Sequence, residues 1–402
     1  MGAGNRQGFR DIIQWLGDNE TEWVAANIHL IPMYGRWDDL MALYGTAAEP
    51  FALELWADAI QSDDASVTPL ACKWADRQDS KLRKACGLGP KEFRKLVSEK
   101  TGWVVEKSMC SGNWENIPFS QVPSVAGSRY RNAFKKHQQA RYEQWCLSLA
   151  TNKKVNAATL FPHDIVRLVH STPDADAAFT TLVETLFENM PNYIDNPDVK
   201  IMPICDFSGS MDCKASGSVS CLDVSLALGL YCSDRLGKNN PFYRKLIPFS
   251  TNSKLESWVG RTVIEAVRSI PNGYCGSTNI RSALENLLNS AKMWNVKPND
   301  MVNTLLILSD MQWDGGAVDD TGKGVIESCM KQWEAAGYKR PQIVYWNLNG
   351  YNNQPATVRT KNVCMVSGFS PTILKTVLNN EDIDPIKIML ATIAKYDITV
   401  PS

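Results

Sequence analysis

Three short stretches of the chain concentrate oxygen-bearing side chains: Asp206-Phe207-Ser208-Gly209-Ser210, Gly276-Ser277-Thr278-Asn279 and Ser309-Asp310. The first follows an apolar run ending at Cys205, the second opens a helical pattern, and the third closes the run Leu305-Leu306-Ile307-Leu308. Asp206 and Asp310 with the hydroxyls of Ser208, Ser210 and Thr278 are hard donors. That inventory suits Mg²⁺, which takes octahedral oxygen coordination and keeps several waters. The D-x-S-x-S pattern alone fits an ordinary strand-to-helix turn equally well. Asp314, four residues past Asp310, is read as a solvated loop charge in preference to a partner of the site.

Short apolar runs suited to buried strands place these loops: Val199–Cys205, Lys245–Phe249, Val302–Ser309, Gln342–Leu348 and Val363–Val366. Helical segments alternate with them at Cys221–Arg235, Val259–Ser269, Ser277–Trp294 and Gly324–Ala336, so a mostly parallel sheet covered on both faces is expected over residues 197–402. In such a sheet ligands sit at the carboxyl ends of the strands, where Asp206 and Asp310 fall. Before the turn-rich stretch Pro191–Asp198, residues 1–196 read as helical. Trp37, Leu40, Met41 and Tyr44 form one helix face stopped by Gly45, and Pro50 can start the next helix. Trp37, Trp56 and Trp74 are 19 and 18 residues apart, which hints at stacked helices of similar length in a solenoid-like repeat.

Charge is segregated in this first half. Residues 1–75 carry 4 basic and 11 acidic side chains, residues 76–154 carry 16 and 7, and residues 155–196 carry 1 and 6. The middle block is where a polyanion could bind. Its candidate contacts are Lys81, Arg83, Lys84, Lys91, Arg94, Lys95, Arg129, Arg131, Lys135, Lys136 and Arg141. Tyr130, Phe134 and Tyr142 interleave with them, as base-stacking partners or as a core stripe. The bland alternative is a solvated helix face.

The three oxygen-rich motifs, in this order and context, resemble the metal-ion-dependent adhesion site of von Willebrand factor A domains. That resemblance implies Ser208, Ser210 and Thr278 directly on the ion, Asp206 and Asp310 direct or through water, and one position left for a partner's acidic group. Met311 departs from it, because many A domains have glycine after the aspartate. A helical first domain before an A domain resembles the TROVE or Ro autoantigen family, whose HEAT-like helical ring binds RNA. The stretches Tyr34-Gly35-Arg36-Trp37-Asp38-Asp39-Leu40, Leu88–Leu96, Val122-Pro123-Ser124-Val125-Ala126 and Leu160-Phe161-Pro162-His163-Asp164 are similar to an uncharacterised family of plant, bacterial and phage proteins related to it. Little sequence precedes Gly8-Phe9-Arg10, so whether the helices close into a complete ring is left open. The expected fold class is therefore α plus α/β: a TROVE-like helical domain at 1–196 and a doubly wound A domain at 197–402.

Length and composition narrow the function. A chain of 402 residues with 44% hydrophobic content exceeds one core and is too apolar for disorder. Its net charge of −1 excludes holding nucleic acid by bulk charge. No window approaches the roughly 18 apolar residues of a membrane span, and the polar, basic N-terminus is unlike a signal peptide, so a soluble cytoplasmic protein is expected. Eleven cysteines without a C-x-x-C pair fit a reducing compartment and give neither a disulfide framework nor a zinc site. Cys213 and Cys221, eight apart, are read as structural, as are His163 and His170, two helical turns apart. No catalytic triad or phosphate loop stands out, so no enzymatic activity is expected. The leading expectation is a Ro-like RNA-binding protein whose Mg²⁺-carrying A domain recruits an acidic protein ligand. The alternative is a metal-dependent protein-interaction scaffold that binds no RNA.

Overall fold

The computed structural model describes residues 6–102, 105–152, 157, 160–194, 196–216, 219–249, 253–270, 279–311, 322–349, 362–367, 375–376, 386, 389–390 and 393–394. Contacts divide the chain into two compact units, one built around Met1–Ile117 and the other around Pro118–Thr392. Secondary structure changes from helix to strand between residues 189 and 200, the stretch that contains the expected 196/197 boundary. Packing, however, draws the helices after residue 118 into the unit that carries the sheet.

The first unit holds α1 (Arg6–Asn19), α2 (Thr21–Asn27), α3 (Leu30–Tyr34), a 3-10 helix (Trp37–Leu43), α4 (Glu49–Gln61), α5 (Thr68–Trp74), α6 (Ser80–Ala85), α7 (Pro90–Lys100) and α8 (Val105–Cys110). Pro50 and Pro90 each lie in the first turn of their helix, where a missing N–H costs nothing. The tryptophan spacing does not mark helices of equal length: Trp37 lies on the 3-10 helix, Trp56 on the 13-residue α4 and Trp74 on the seven-residue α5. Trp37 and Trp56 do meet, their ring centroids 6.4 Å apart, and Trp56 Nε1 donates to Ala71 O at 3.0 Å. Gly45 takes φ +88° immediately after the 3-10 segment, a conformation that suits glycine. At the other end of this segment, where the 3-10 helix begins, buried Asp39 accepts from Arg6, Arg10 and the backbone N–H of Arg36. Burial pushes its carboxyl up, but these donors outweigh that and bring it down to about 2.

In the second unit α9 (Ser124–Arg129), α10 (Arg131–Asn152), α11 (Pro162–His170) and α12 (Ala177–Glu188) precede the sheet. α10 is broken at Gln138, whose φ of −147° and ψ of 44° leave the helical region. The strands are β1 (Ile201–Cys205), β2 (Lys214–Ser216), β3 (Val219–Ser220), β4 (Lys245–Pro248), β5 (Glu256–Ser257), β6 (Thr304–Ser309), β7 (Gln342–Asn347) and β8 (Val363–Ser367). Between them lie α13 (Cys221–Asp234), α14 (Val263–Ser269), α15 (Ile280–Met293) and α16 (Gly322–Ala335). Six strands form one sheet in the order β5-β4-β1-β6-β7-β8, all parallel except the edge pair β4–β5. Counted within the sheet this is 3-2-1-4-5-6, the doubly wound order.

All five strands expected from the apolar runs are present. β1 and β6 are buried at every position, as strands covered on both faces must be. On one face Met202, Ile204, Leu305 and Ile307 pack with Ala283, Leu284, Leu287 and Leu288 of α15 and Met330 and Trp333 of α16. The other face receives α13, and Gly229 makes its close approach possible: a Cβ there would stand 2.5 Å from Cys205 Sγ. Further out, Tyr231 Oη donates to Pro191 O at 2.7 Å and Arg235 donates to Phe187 O at 3.0 Å, tying α13 to the segment after α12 and to α12 itself. Arg268 of α14 donates to Thr172 O and Pro173 O.

Because α13 is seated by Gly229 against the strand that ends at Asp206, Gly229→Ala should destabilise the protein by about 1–3 kcal/mol through overpacking. Denaturant unfolding followed by circular dichroism reads this, and an unchanged midpoint would show that the helix does not depend on the close approach.

Candidate metal centre and basic surfaces

Parallel pairing of β1 with β6 matches Ile204 to Ile307 and Cys205 to Leu308. The next step carries Asp206, whose N–H donates to Leu308 O at 2.9 Å, alongside Ser309 and Asp310. β1 and β6 are the pair at which the strand order reverses, and the crevice at their carboxyl ends is where open α/β sheets bind ligands. Both carboxylates are withdrawn from water, Asp206 to 1% exposure and Asp310 to 0%. Asp206 Oδ1 accepts from the Ser208 N–H at 3.0 Å, and its Oδ2 accepts from Ser309 Oγ at 2.7 Å. Ser309 Oγ in turn accepts from the Met311 N–H at 3.1 Å. Among the described residues no lysine, arginine or histidine forms an ion pair with Asp206.

Ser208 Oγ and Ser210 Oγ lie 3.0 Å apart at the start of the 3-10 turn Gly209–Asp212. Ligands at right angles around Mg²⁺, each 2.0–2.1 Å away, have oxygens about 2.9 Å apart, so the hydroxyl spacing fits adjacent positions on an octahedron. A buried carboxylate without a counter-cation is costly, and a divalent ion would relieve that cost. The residues present therefore fit the ion. Thr278 and Asp314 lie outside the described residues, so four of the five expected ligands are placed. Three or more His, Cys, Asp or Glu side chains grouped for a metal do not occur among the described residues, and a serine-rich site contains only the two carboxylates.

Met311, where a glycine was expected from the family pattern, has φ +60°. The backbone takes a left-handed turn there, and the Met311 side chain is buried in the core beside the sheet. Ser309 was missed as a site residue. Its signal was a polar residue closing an otherwise apolar strand, beside the aspartate. His170 also turns out to have a partner: its Nδ1 is 3.2 Å from Asp223 Oδ1 on α13. Burial raises the Asp223 carboxyl, but His170 and the Ser220 N–H outweigh it and hold it below the ordinary range. His163 is held below its usual value by burial. His170 links α11 to α13, and His163 stacks on Phe161 with ring centroids 5.5 Å apart at the start of α11, in keeping with a structural reading.

The basic candidates fall in both units. Lys81 pairs with Glu49 at 2.7 Å, and Lys95 lies 3.9 Å from Glu99. Arg83 donates to Leu88 O at 3.1 Å. Lys135 pairs with Asp176, Arg131 covers the Phe179 ring at 4.8 Å, and Arg141 covers Phe119 at 5.3 Å. Lys84, Lys91 and Arg94 in the first unit, and Arg129 and Lys136 in the second, are exposed, with no side-chain partner among the described residues. Two of the three interleaved aromatics are core, not stacking platforms: Phe134 and Tyr142 are fully buried, stacked with centroids 5.6 Å apart, while Tyr130 is half-buried. Tyr130 meets Phe134 edge-on.

Known proteins bear on this arrangement as follows. Residues 200–396 match the domain of unknown function DUF7788. Residues 92–193 match a second domain of unknown function, DUF2828. The chain is 26% identical to uncharacterized protein L728 of Acanthamoeba polyphaga mimivirus over 423 residues, covering 91% of this chain and 72% of that protein. It is also similar to the crystal structure of the Ro (RSR) protein of Deinococcus radiodurans, with a TM-score of 0.47 and 12% identity over 94% of this chain and 88% of that one. Among the described residues, no helix is long and apolar enough to cross a membrane.

Ser309→Ala would strip Asp206 of a buried donor and the Met311 N–H of its acceptor. It should cost about 1–3 kcal/mol of stability, and a denaturant midpoint equal to the wild type's would mean that the hydroxyl does not hold the two strand ends.

Proposed function

We propose that this protein binds RNA non-catalytically through the exposed cations of residues 76–154 and recruits a protein ligand through Mg²⁺ at the switch point of the sheet. The observation that carries the RNA reading is the trio Lys84, Lys91 and Arg94. Lys91 and Arg94 are exposed i, i+3 neighbours on α7, whose Phe93 and Val97 are buried, and Lys84 stands exposed on the preceding α6. Unlike Lys81 or Lys135, none pairs with a carboxylate among the described residues. Phosphate contacts would supply most of the affinity, and the burial of Phe134 and Tyr142 removes two expected base-stacking contacts.

Asp206, Ser208, Ser210, Thr278 and Asp310 would hold the ion. When bound, Mg²⁺ supplies an electrophilic position for a partner's carboxylate. The protein's own contribution is to fix Asp206 between the Ser208 N–H and Ser309 Oγ and to keep the two hydroxyls adjacent. Buried Asp206, with no basic ion-pair partner among the described residues, supports this reading, and it equally supports the scaffold alternative in which RNA plays no part.

Lys84→Glu, Lys91→Glu and Arg94→Glu combined should weaken binding of single-stranded RNA at least about tenfold at low salt. Wild-type affinity should fall with salt with a logarithmic slope near −2 for about three phosphate contacts. Unchanged affinity in the triple variant would remove this surface, and no wild-type binding at low salt would leave the scaffold. Separately, calorimetry should give saturable Mg²⁺ heat for the wild type and none for Asp206→Asn, whose shape is preserved. Equal heats in a folded variant would dismiss the ion.

A further inference from the structure

Cys213 and Cys221 bracket the hairpin of β2 and β3. Lys214 pairs with Ser220, and the Cys221 N–H donates to Cys213 O at 2.9 Å, so the cysteines stand opposite each other across an antiparallel pair. Opposed residues in such a pair have Cα atoms about 4.5–5.5 Å apart, within the span of a disulfide. Their sulfurs are already 3.3 Å apart, with the Cys213 thiol donating to Cys221 Sγ. The Cys221 thiol donates onward to Leu348 O at 3.3 Å. Cys213 is half-buried and Cys221 is buried.

We propose that Cys213 and Cys221 form a reversible dithiol modification site, oxidised by low-molecular-weight disulfides to an intramolecular bond. The half-buried Cys213 thiolate attacks one sulfur of the small disulfide, forming a mixed disulfide and releasing one small thiolate, which takes up a proton. Cys221, giving up its proton to solvent, then attacks Cys213 Sγ and expels the second small thiolate. Two protein thiols become one S–S bond while the small disulfide is reduced to two thiols. Closure from 3.3 Å to about 2.0 Å needs only a small side-chain movement. The Cys213 N–H donates to Ser210 O at 3.2 Å, so the new bond joins the end of the Gly209–Asp212 turn to the first residue of α13. It also takes the thiol donor from Leu348 O. None of this depends on the ion or on RNA.

The test treats the full-length protein with oxidised glutathione, quenches with acid, alkylates and maps tryptic peptides. Cleavage after Lys214 separates the two cysteines, and fragmentation distinguishes them from Cys205 and Cys232. The expected result is a Cys213–Cys221 cross-link reversed by dithiothreitol, absent in Cys213→Ser, with a glutathione adduct on exposed Cys110 to show that the oxidant reached the protein. A Cys213 that stays reduced, or ends as a glutathione adduct, while Cys110 reacts would overturn the proposal.

Discussion

The lateral pairing of β1 with β6 is the constraint on which the candidate centre depends. Backbone hydrogen bonds set the register from Ile201–Thr304 to Cys205–Leu308, and a parallel sheet can hold that register only if both faces are covered. α13 covers one face and α15 and α16 the other. Once the register is fixed, Asp206 and Asp310 emerge at neighbouring strand ends without further choice. Ser309 then joins the ends directly through its bond to Asp206 Oδ2. Asp206 and Asp310 are thus placed one residue past two paired strands, whereas Ser208 and Ser210 belong to a turn closed by the Cys213 N–H on Ser210 O.

Electrostatics in the two units solve different problems. Asp39 is buried but surrounded by Arg6, Arg10 and the Arg36 N–H, so its charge is compensated and its role is to brace the turn between α3 and the 3-10 helix. Asp206 is equally withdrawn, yet it has hydroxyl and amide donors and no cation among the described residues. Hydrogen bonds orient such a carboxylate without neutralising it. The same distinction separates the basic side chains: Lys81, Arg131 and Lys135 serve the fold, whereas Lys84, Lys91 and Arg94 are exposed on α6 and α7 with no ion pair among the described residues.

The strands were legible because a strand buried on both faces needs an unbroken apolar run, and the carboxylates were legible because they interrupt such runs at their ends. The antiparallel edge β5 and the hairpin β2–β3 were not, since two- and three-residue strands carry too little pattern. Helical periodicity placed an apolar face on Trp37, Leu40, Met41 and Tyr44, but Met41 is 40% exposed because the segment winds as a 3-10 helix, whose three-residue turn rotates it off that face. Composition located the helix-to-strand change near residue 196, whereas packing gathers α9–α12 with the sheet. That grouping rests on long-range contacts such as Tyr231 to Pro191 and Arg235 to Phe187, which leave no local trace. Phe134 and Tyr142 show the same limit: an aromatic spacing does not say whether the rings face solvent or each other.

Met311 tests how far a family pattern can be read as geometry. Glycine permits a left-handed turn at no steric cost, so a methionine where many A domains have glycine would suggest a different backbone. Here the turn persists at φ +60° on a methionine, a conformation that costs roughly 1–2 kcal/mol in an unbranched residue. Two interactions offset that cost. The Met311 N–H is held by Ser309 Oγ, and its side chain is buried among the sheet's core residues, where a glycine would leave a void. The turn is therefore imposed by the Asp206–Ser309 bond and the core beneath it, and the residue at its apex only has to tolerate it. A departure from the motif at this position consequently leaves the carboxylate geometry in place, because that geometry is fixed upstream by strand pairing.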